Sequence, residues 1–102
     1  MSLKKQYLKS KPVCKVTFTL DGELISHANS VCLAGDFNNW SPSKTPMKKL
    51  KDGSFKIVLD LTTGQQYQFR YLVDNKIWQN DSAADQYIPN PYGDADNCIV
   101  VV

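Results

Sequence analysis

The sequence predicts an all-β fold, an antiparallel β-sandwich of the immunoglobulin type. About seven short segments read as strands, turn residues separate them at near-regular spacing, and no segment shows a helical period. A small β-barrel is the alternative that the same pattern allows. At 102 residues the chain is long enough to bury one hydrophobic core, and its 42% hydrophobic and 22% charged residues are ordinary for a globular domain.

The strands follow one another with turn signals between them. Strands are predicted over residues 13–20, 31–34, 47–50, 55–61, 66–73, 77–78 and 97–102. Asp52-Gly53 predicts a hairpin turn before the fourth of them. The strand at 66–73 alternates most clearly, and two faces are predicted for it, one with Tyr67, Phe69, Tyr71 and Val73, the other with Gln66, Gln68, Arg70 and Leu72.

The segments outside these strands predict the domain organisation. Residues 1–12 read as a polar N-terminal arm, and residues 13–102 as a single domain. Residues 21–30 are predicted to form a loop, and residues 81–96 a longer one, because prolines and a glycine interrupt any strand pattern there.

Charge, cysteine usage and hydropathy limit the function classes. The net charge is +2, and the lysine clusters are typical of a solvated surface rather than of a nucleic-acid track, so no nucleic-acid partner is expected. An odd cysteine count, with Cys14, Cys32 and Cys98 in apolar runs, predicts buried free thiols in a reducing compartment. No signal peptide or membrane-spanning run is visible, which predicts a cytoplasmic protein without a membrane partner.

The titratable residues do not form a pattern typical of catalysis or of metal binding. His27 is the only histidine and has no ligand at metal-site spacing, so we expect a solvated loop histidine. Residues 94–97 resemble part of a calcium loop but lack its other ligands. Six aspartates are predicted to be hydrated in turns, namely Asp36, Asp74, Asp81, Asp85, Asp94 and Asp96. No catalytic residue, metal site or cofactor is therefore predicted, and the chain is not expected to be an enzyme.

Two tryptophans in polar surroundings favour sugar binding instead. Trp40 and Trp78 each follow a predicted strand, and an aromatic face can stack on the C–H groups of a pyranose ring. Arg70, Gln68 and Asn97 provide hydrogen-bonding groups for sugar hydroxyls. An alternative fits the spacing equally well: the tryptophans would cap the two ends of the core, and Arg70 would be an ordinary exposed residue.

Residues 31–40, Val-Cys-Leu-Ala-Gly-Asp-Phe-Asn-Asn-Trp, closely resemble the strand-and-loop signature of family 48 carbohydrate-binding modules. This family includes the N-terminal domains of isoamylases and glycogen-branching enzymes and the glycogen-binding domain of the AMP-activated protein kinase beta subunit. The resemblance continues through residues 67–74, 78–81 and 96–101, and it extends from about residue 13 to residue 102.

The resemblance implies an early-set immunoglobulin-like sandwich that binds α-1,4-linked glucan such as glycogen or starch. It implies that Trp40 and Trp78 stack on glucose rings and that Asn97 bonds hydroxyls. Arg70 stands where the kinase-type modules usually have lysine, which keeps the charge but changes the geometry. Residues 88–93 are more similar to the isoamylase and branching-enzyme type than to the kinase type.

The expected function is non-catalytic binding of α-glucan by a stand-alone module, with Trp40, Trp78, Arg70, Asn97 and Gln68 as site residues. The alternative is a protein-interaction or targeting module of glycogen metabolism that uses the same fold without sugar, with a glycogen-metabolism enzyme or another protein as partner. A hydrolase is disfavoured, because glycoside hydrolysis needs a carboxylate pair of fixed separation in a cleft.

Overall fold

The computed structural model of the protein describes residues 3–81, 83–89 and 96–102. These residues form nine strands, a one-turn helix α1 (Glu23–Ser26) after the second strand, and a 3-10 turn (Asp36–Asn38) after the third. The strands are β1 (Leu3–Tyr7), β2 (Val13–Leu20), β3 (Val31–Gly35), β4 (Lys48–Lys49), β5 (Phe55–Thr62), β6 (Gln66–Val73), β7 (Ile77–Gln79), β8 (Gln86–Pro89) and β9 (Asp96–Val101).

The strands form two antiparallel sheets that pack face to face. The first sheet has the order β1-β2-β5-β4, and the second has the order β3-β6-β9-β8, with β7 paired to β6. The predicted all-β antiparallel sandwich is therefore confirmed, and the strands divide between two sheets rather than closing into one barrel. Within the described residues, no helix has the length and apolar character that crossing a membrane would require.

Period-two alternation places the core between the sheets. Alternate side chains of β2 and β6 point inward, and a single buried cluster joins both sheets. Phe69 lies at its centre, with its ring 5.2 Å from that of Phe18 and 5.7 Å from that of Tyr71, each in an edge-on arrangement. Burying one such ring contributes about 1.5–3 kcal/mol, so this aromatic group is a large part of the stabilisation.

The segment predicted as a polar N-terminal arm contributes an edge strand. Residues 3–7 pair with β2, and Leu3 is only 7% exposed, directly opposite Phe18. The sandwich thus extends into residues 1–12. The pattern concealed this strand because Leu3 is the only core residue that it contributes, and its lysines suit the solvated edge of a sheet.

The predicted long loop at 81–96 also contains a strand. β8 pairs with β9 and forms an edge of the second sheet. All residues of β8 are exposed, so the strand shows no apolar alternation. Two other segments differ in detail: α1 lies within the predicted loop at 21–30, and β4 is shorter than the predicted strand at 47–50. The suggested calcium-like segment begins at Asp94, which lies outside the described residues.

Candidate functional site

The site begins where β3 ends. The strand stops at Gly35, as predicted, and this position has no room for a side chain because an added Cβ would lie 2.5 Å from the carbonyl oxygen of Gln68. Asn38 then folds the chain back. Its Oδ1 accepts from the Gly35 amide at 3.1 Å, and its Nδ2 donates to Leu33 O at 2.8 Å and to Thr45 Oγ1 at 2.9 Å.

Trp40 is half-buried beside this turn and outside the core cluster. Asn39 and Trp40 both have φ of 57°, a left-handed conformation that costs a non-glycine residue about 1–2 kcal/mol. Two hydrogen bonds hold the residue there. Its amide donates to Gly35 O at 2.9 Å, and its indole Nε1 donates to Asp36 Oδ1 at 3.0 Å.

Trp78 lies on the outer face of the second sheet, opposite Leu72, and is 41% exposed. The guanidinium carbon of Arg70 is 5.9 Å from the centre of its ring, a cation–π distance. Arg70 Nε donates to Asn80 Oδ1 at 2.8 Å, and Asn80 Nδ2 donates to Asp96 O at 2.9 Å. Arg70 is therefore held between an aromatic ring and an amide that is itself bonded to β9.

Gln68 and Asn97 form a second polar pair on this face. Asn97 Nδ2 donates to Gln68 Oε1 at 3.0 Å, and Asn97 is only 6% exposed whereas Gln68 is half-buried. The backbone amide of Gln68 donates to Asp36 Oδ2 at 2.8 Å. Asp36 thereby connects the Trp40 ring to the strand that carries Gln68.

Four of the predicted site residues thus form two contacting pairs on the outer face, Trp78 with Arg70 and Gln68 with Asn97. Trp40 is joined to the second pair through Asp36; among the described residues no hydrogen bond joins it to the other four directly. Apolar side chains outside the core cluster are also buried on this face of the second sheet, namely Ala34, Leu72 and Ile99. The face therefore combines an apolar floor with aromatic and polar groups.

Two polar residues of this face were not among the predicted site residues. Asp36 is an exposed turn residue, as predicted, and in addition both of its carboxylate oxygens accept hydrogen bonds. Asn80 lies two residues after Trp78 and had no predicted role in the site. The proximity of each to a tryptophan was the available signal, but their partners come from strands distant in sequence.

Asp81 contradicts the prediction of a hydrated turn residue, because it is 1% exposed. Its Oδ2 accepts from Tyr71 OH at 2.7 Å, its Oδ1 accepts from the Ala83 amide at 2.8 Å, and its own amide donates to Cys98 Sγ at 3.1 Å. The Tyr87 hydroxyl donates to its carbonyl oxygen. Asp81 thus anchors the end of the Trp78 segment to the interior.

Asp74, His27 and the cysteines agree more closely with expectation. Asp74 accepts from the amides of Asn29 and Ser30, as a turn residue does, and His27 is exposed. The three cysteines are free thiols, with Cys14 and Cys98 buried and Cys32 partly exposed. Within residues 3–81, 83–89 and 96–102 there is no cluster of three metal-ligating side chains.

The buried thiol of Cys98 and the buried hydroxyl of Tyr71 predict a loss of stability at alkaline pH. Burial raises the pKa of Cys98 to about 11 from an ordinary 9.0, and burial together with Asp81 also raises the pKa of Tyr71. Because the folded state holds these protons more tightly than the unfolded state, the contribution is complete below pH 9 and is lost as pH rises to about 11 and beyond. Urea unfolding at pH 8 to 11 should therefore show a falling free energy of unfolding.

Cys98→Ala provides the control for this prediction, since it removes the thiol titration and should reduce the slope between pH 9 and 11. Equal slopes in the wild type and Cys98→Ala would contradict the assignment.

A β-sandwich with two tryptophans and with guanidinium and amide groups beside one outer sheet face has the features of a carbohydrate-binding module. Residues 14–102 match the family described as the glycogen recognition site of AMP-activated protein kinase, and the chain belongs to this family. The family resemblance inferred from the sequence is therefore confirmed, and the chain is a glycogen-recognition module.

Curated relatives match shorter segments. The chain is 41% identical over 61 residues to the 1,4-alpha-glucan branching enzyme GlgB of Aquifex aeolicus (strain VF5), which covers 56% of this chain and 9% of that protein. It is 39% identical over 44 residues to the 1,4-alpha-glucan branching enzyme GlgB 2 of Xanthomonas campestris pv. campestris (strain 8004), covering 42% of this chain and 6% of that protein. The matched regions are thus less than a tenth of the length of these relatives.

Proposed function

We propose that the chain binds α-1,4-linked glucan without catalysing its conversion, through the outer face of the second sheet. Trp40 and Trp78 would stack on glucose rings, and Arg70, Gln68 and Asn97 would bond hydroxyls or hold the groups that do. The observation that carries this proposal is the exposed Trp78 ring in contact with Arg70 on the face that also holds Gln68 and Asn97.

The stacking contribution follows from the exposed ring of Trp78 and the half-buried ring of Trp40. A pyranose face presents apolar C–H groups, and covering an aromatic ring with them removes apolar area from water on both sides. The face is an open sheet surface, so each glucose unit would remain partly hydrated. We therefore expect weak single-site affinity, roughly millimolar to micromolar.

The polar groups are divided between contact and support. Arg70 uses Nε on Asn80, which leaves its terminal N–H groups as donors to hydroxyls. Asn97 is nearly covered and donates to Gln68, so Gln68 is better exposed for a direct contact and Asn97 is better suited to orient it. This division differs from the family resemblance, which implied a direct hydroxyl contact for Asn97.

A carboxylate beside this face supports a binding role rather than hydrolysis. Hydrolysis needs one carboxyl group that donates a proton and a second that acts as base or nucleophile. Asp36 uses both of its oxygens as hydrogen-bond acceptors for Trp40 and Gln68, so its observed contacts are structural. The match to a recognition family also favours glucan binding over the alternative of a sugar-independent interaction module.

Calorimetric titration with maltoheptaose tests the proposal. The wild type should release heat on binding, and Trp40→Ala should weaken binding at least about tenfold, because an aromatic stacking surface is lost. The β-1,4-linked cellohexaose is the matched control ligand and should bind more weakly than maltoheptaose. If the wild type shows no heat with maltoheptaose up to millimolar concentration, the proposed function is wrong.

We further propose that the module directs an enzyme of glucan metabolism to its polymer. The relatives are named as 1,4-alpha-glucan branching enzymes, and the matched segment is a small part of each. The three free thiols support a reducing, cytoplasmic location. Glycogen-coated beads should retain the chain from a lysate together with a glucan-active enzyme, and release both when maltoheptaose is added.

A further inference from the structure

Asp36 has an unusual position at the glucan site, because its two carboxylate oxygens serve two different elements. Oδ1 accepts from the Trp40 indole at 3.0 Å, and Oδ2 accepts from the Gln68 backbone amide at 2.8 Å. We propose that Asp36 is a positioning residue of the site, which holds the Trp40 ring in a fixed orientation relative to β6 before sugar arrives. This inference rests on the proposed glucan binding.

The strand register explains why a side chain is needed here. The last register pair between β3 and β6 is Gly35 with Phe69, so Gln68 is the first residue of β6 beyond the end of β3. Its amide N–H would otherwise have no strand acceptor on that side. The Asp36 carboxylate takes the place of the missing backbone carbonyl and uses its second oxygen for the indole.

The backbone of Trp40 makes this restraint consequential. With φ at 57°, the residue is in a conformation that a bulky side chain adopts only when its surroundings hold it. The hydrogen bond from the Trp40 backbone N–H to Gly35 O restrains the backbone. The hydrogen bond from the indole N–H to Asp36 restrains the ring itself. A ring already ordered loses less conformational freedom when a sugar stacks on it, which strengthens binding.

The same carboxylate connects the ring to the polar pair. Asp36 accepts a hydrogen bond from the backbone N–H of Gln68, and the side-chain oxygen of Gln68 accepts one from Asn97. Hydrogen bonds thus connect Trp40 and Asp36, in the loop after β3, with Gln68 on β6 and Asn97 on β9. Asp36 is the member that no other side chain of similar length can replace fully, because an amide offers one acceptor oxygen where a carboxylate offers two.

Asp36→Asn tests the proposal with three measurements: maltoheptaose affinity, the indole N–H resonances in a ¹H–¹⁵N spectrum, and the free energy of unfolding. The chain has two tryptophans, so the wild type should give two indole signals, which Trp78→Phe assigns. We expect Asp36→Asn to bind about fivefold more weakly and to shift the Trp40 signal, while the Trp78 signal stays. Asp36→Ala, which loses both bonds, should bind more weakly still.

Asp60→Asn is the matched control, because it removes the same charge from an exposed residue of the first sheet whose Lys15 contact is 3.5 Å long. It should keep wild-type affinity and both indole signals. Wild-type affinity and an unshifted Trp40 signal in Asp36→Asn would overturn the positioning role alone. Absence of maltoheptaose binding by the wild type would overturn both this role and the proposed function. The positioning role would also be overturned if Asp36→Asn lost affinity only in proportion to its unfolded fraction and the Trp40 indole signal of the folded fraction were unshifted.

Discussion

Replacing Trp78 with alanine should weaken the binding of maltoheptaose about 70-fold while the domain stays folded. The ring is 41% exposed and lies outside the core cluster, so its removal creates no cavity between the sheets. Covering roughly 100 Å² of such a ring contributes about 2.5 kcal/mol at 25 cal/mol/Å². A loss of this size corresponds to an increase of about 70-fold in the Kd for maltoheptaose.

The neighbouring Ile77 gives a matched control for this variant. It lies on the same strand, is 59% exposed, and pairs with the inward-facing Val73 rather than with the outward-facing Leu72. Ile77→Ala should therefore keep wild-type affinity in the same calorimetric titration. Equal affinities of Trp78→Ala and the wild type would show that sugar does not stack on this face.

Replacing Asp81 with alanine should cause the largest loss of stability among the polar residues discussed. The change leaves the Tyr71 hydroxyl and the Ala83 amide without their acceptor, and Tyr71 is fully buried. A buried donor without a partner costs about 1–3 kcal/mol, so we expect a loss of about 3 kcal/mol. That is a large fraction of the 5–15 kcal/mol typical of a domain.

Urea unfolding followed by tryptophan fluorescence measures this loss. Asp81→Asn keeps one acceptor oxygen and nearly the same shape, so it should lose less stability than Asp81→Ala. Asp60→Ala removes an exposed carboxylate with a weak ion pair and should change the free energy of unfolding by less than about 0.5 kcal/mol. A loss below about 1 kcal/mol for Asp81→Ala would contradict the anchoring role.

Sugar binding should also respond to Asp81, because the residue ends the segment that carries Trp78 and Asn80. Its bonds to Tyr71 and Cys98 join this segment to β6 and β9. The anchor lies beneath the face rather than on it, which explains why a residue without ligand contact can matter for the site.

Much of the fold could be predicted because alternation is a local property of a strand with one buried face. Residues 13–20 and 66–73 carry enough apolar side chains for the period to be visible, and both match β2 and β6. β1 and β8 were not predicted, since edge strands exposed over most of their length lack this pattern. Their pairing depends on neighbours in the sheet rather than on their own composition.

The candidate site divides in the same way. Trp40, Trp78 and Arg70 could be selected from the sequence because large aromatic and guanidinium groups in polar surroundings indicate a binding surface. The identity of the family was also visible in residues 31–40. Residue type and local order are properties of the chain alone, so these conclusions needed no coordinates.

The roles of Asp36, Asn80 and Asp81 came from the folded molecule. A turn aspartate looks the same in sequence whether it is hydrated, as expected for Asp36 and Asp81, or bonded to a distant strand. The pairing of β6 with β3, β7 and β9 brings acceptors within 3 Å of donors many residues away. Hydrogen bonds of this kind depend on distance in space, which strand register sets and sequence separation does not reveal.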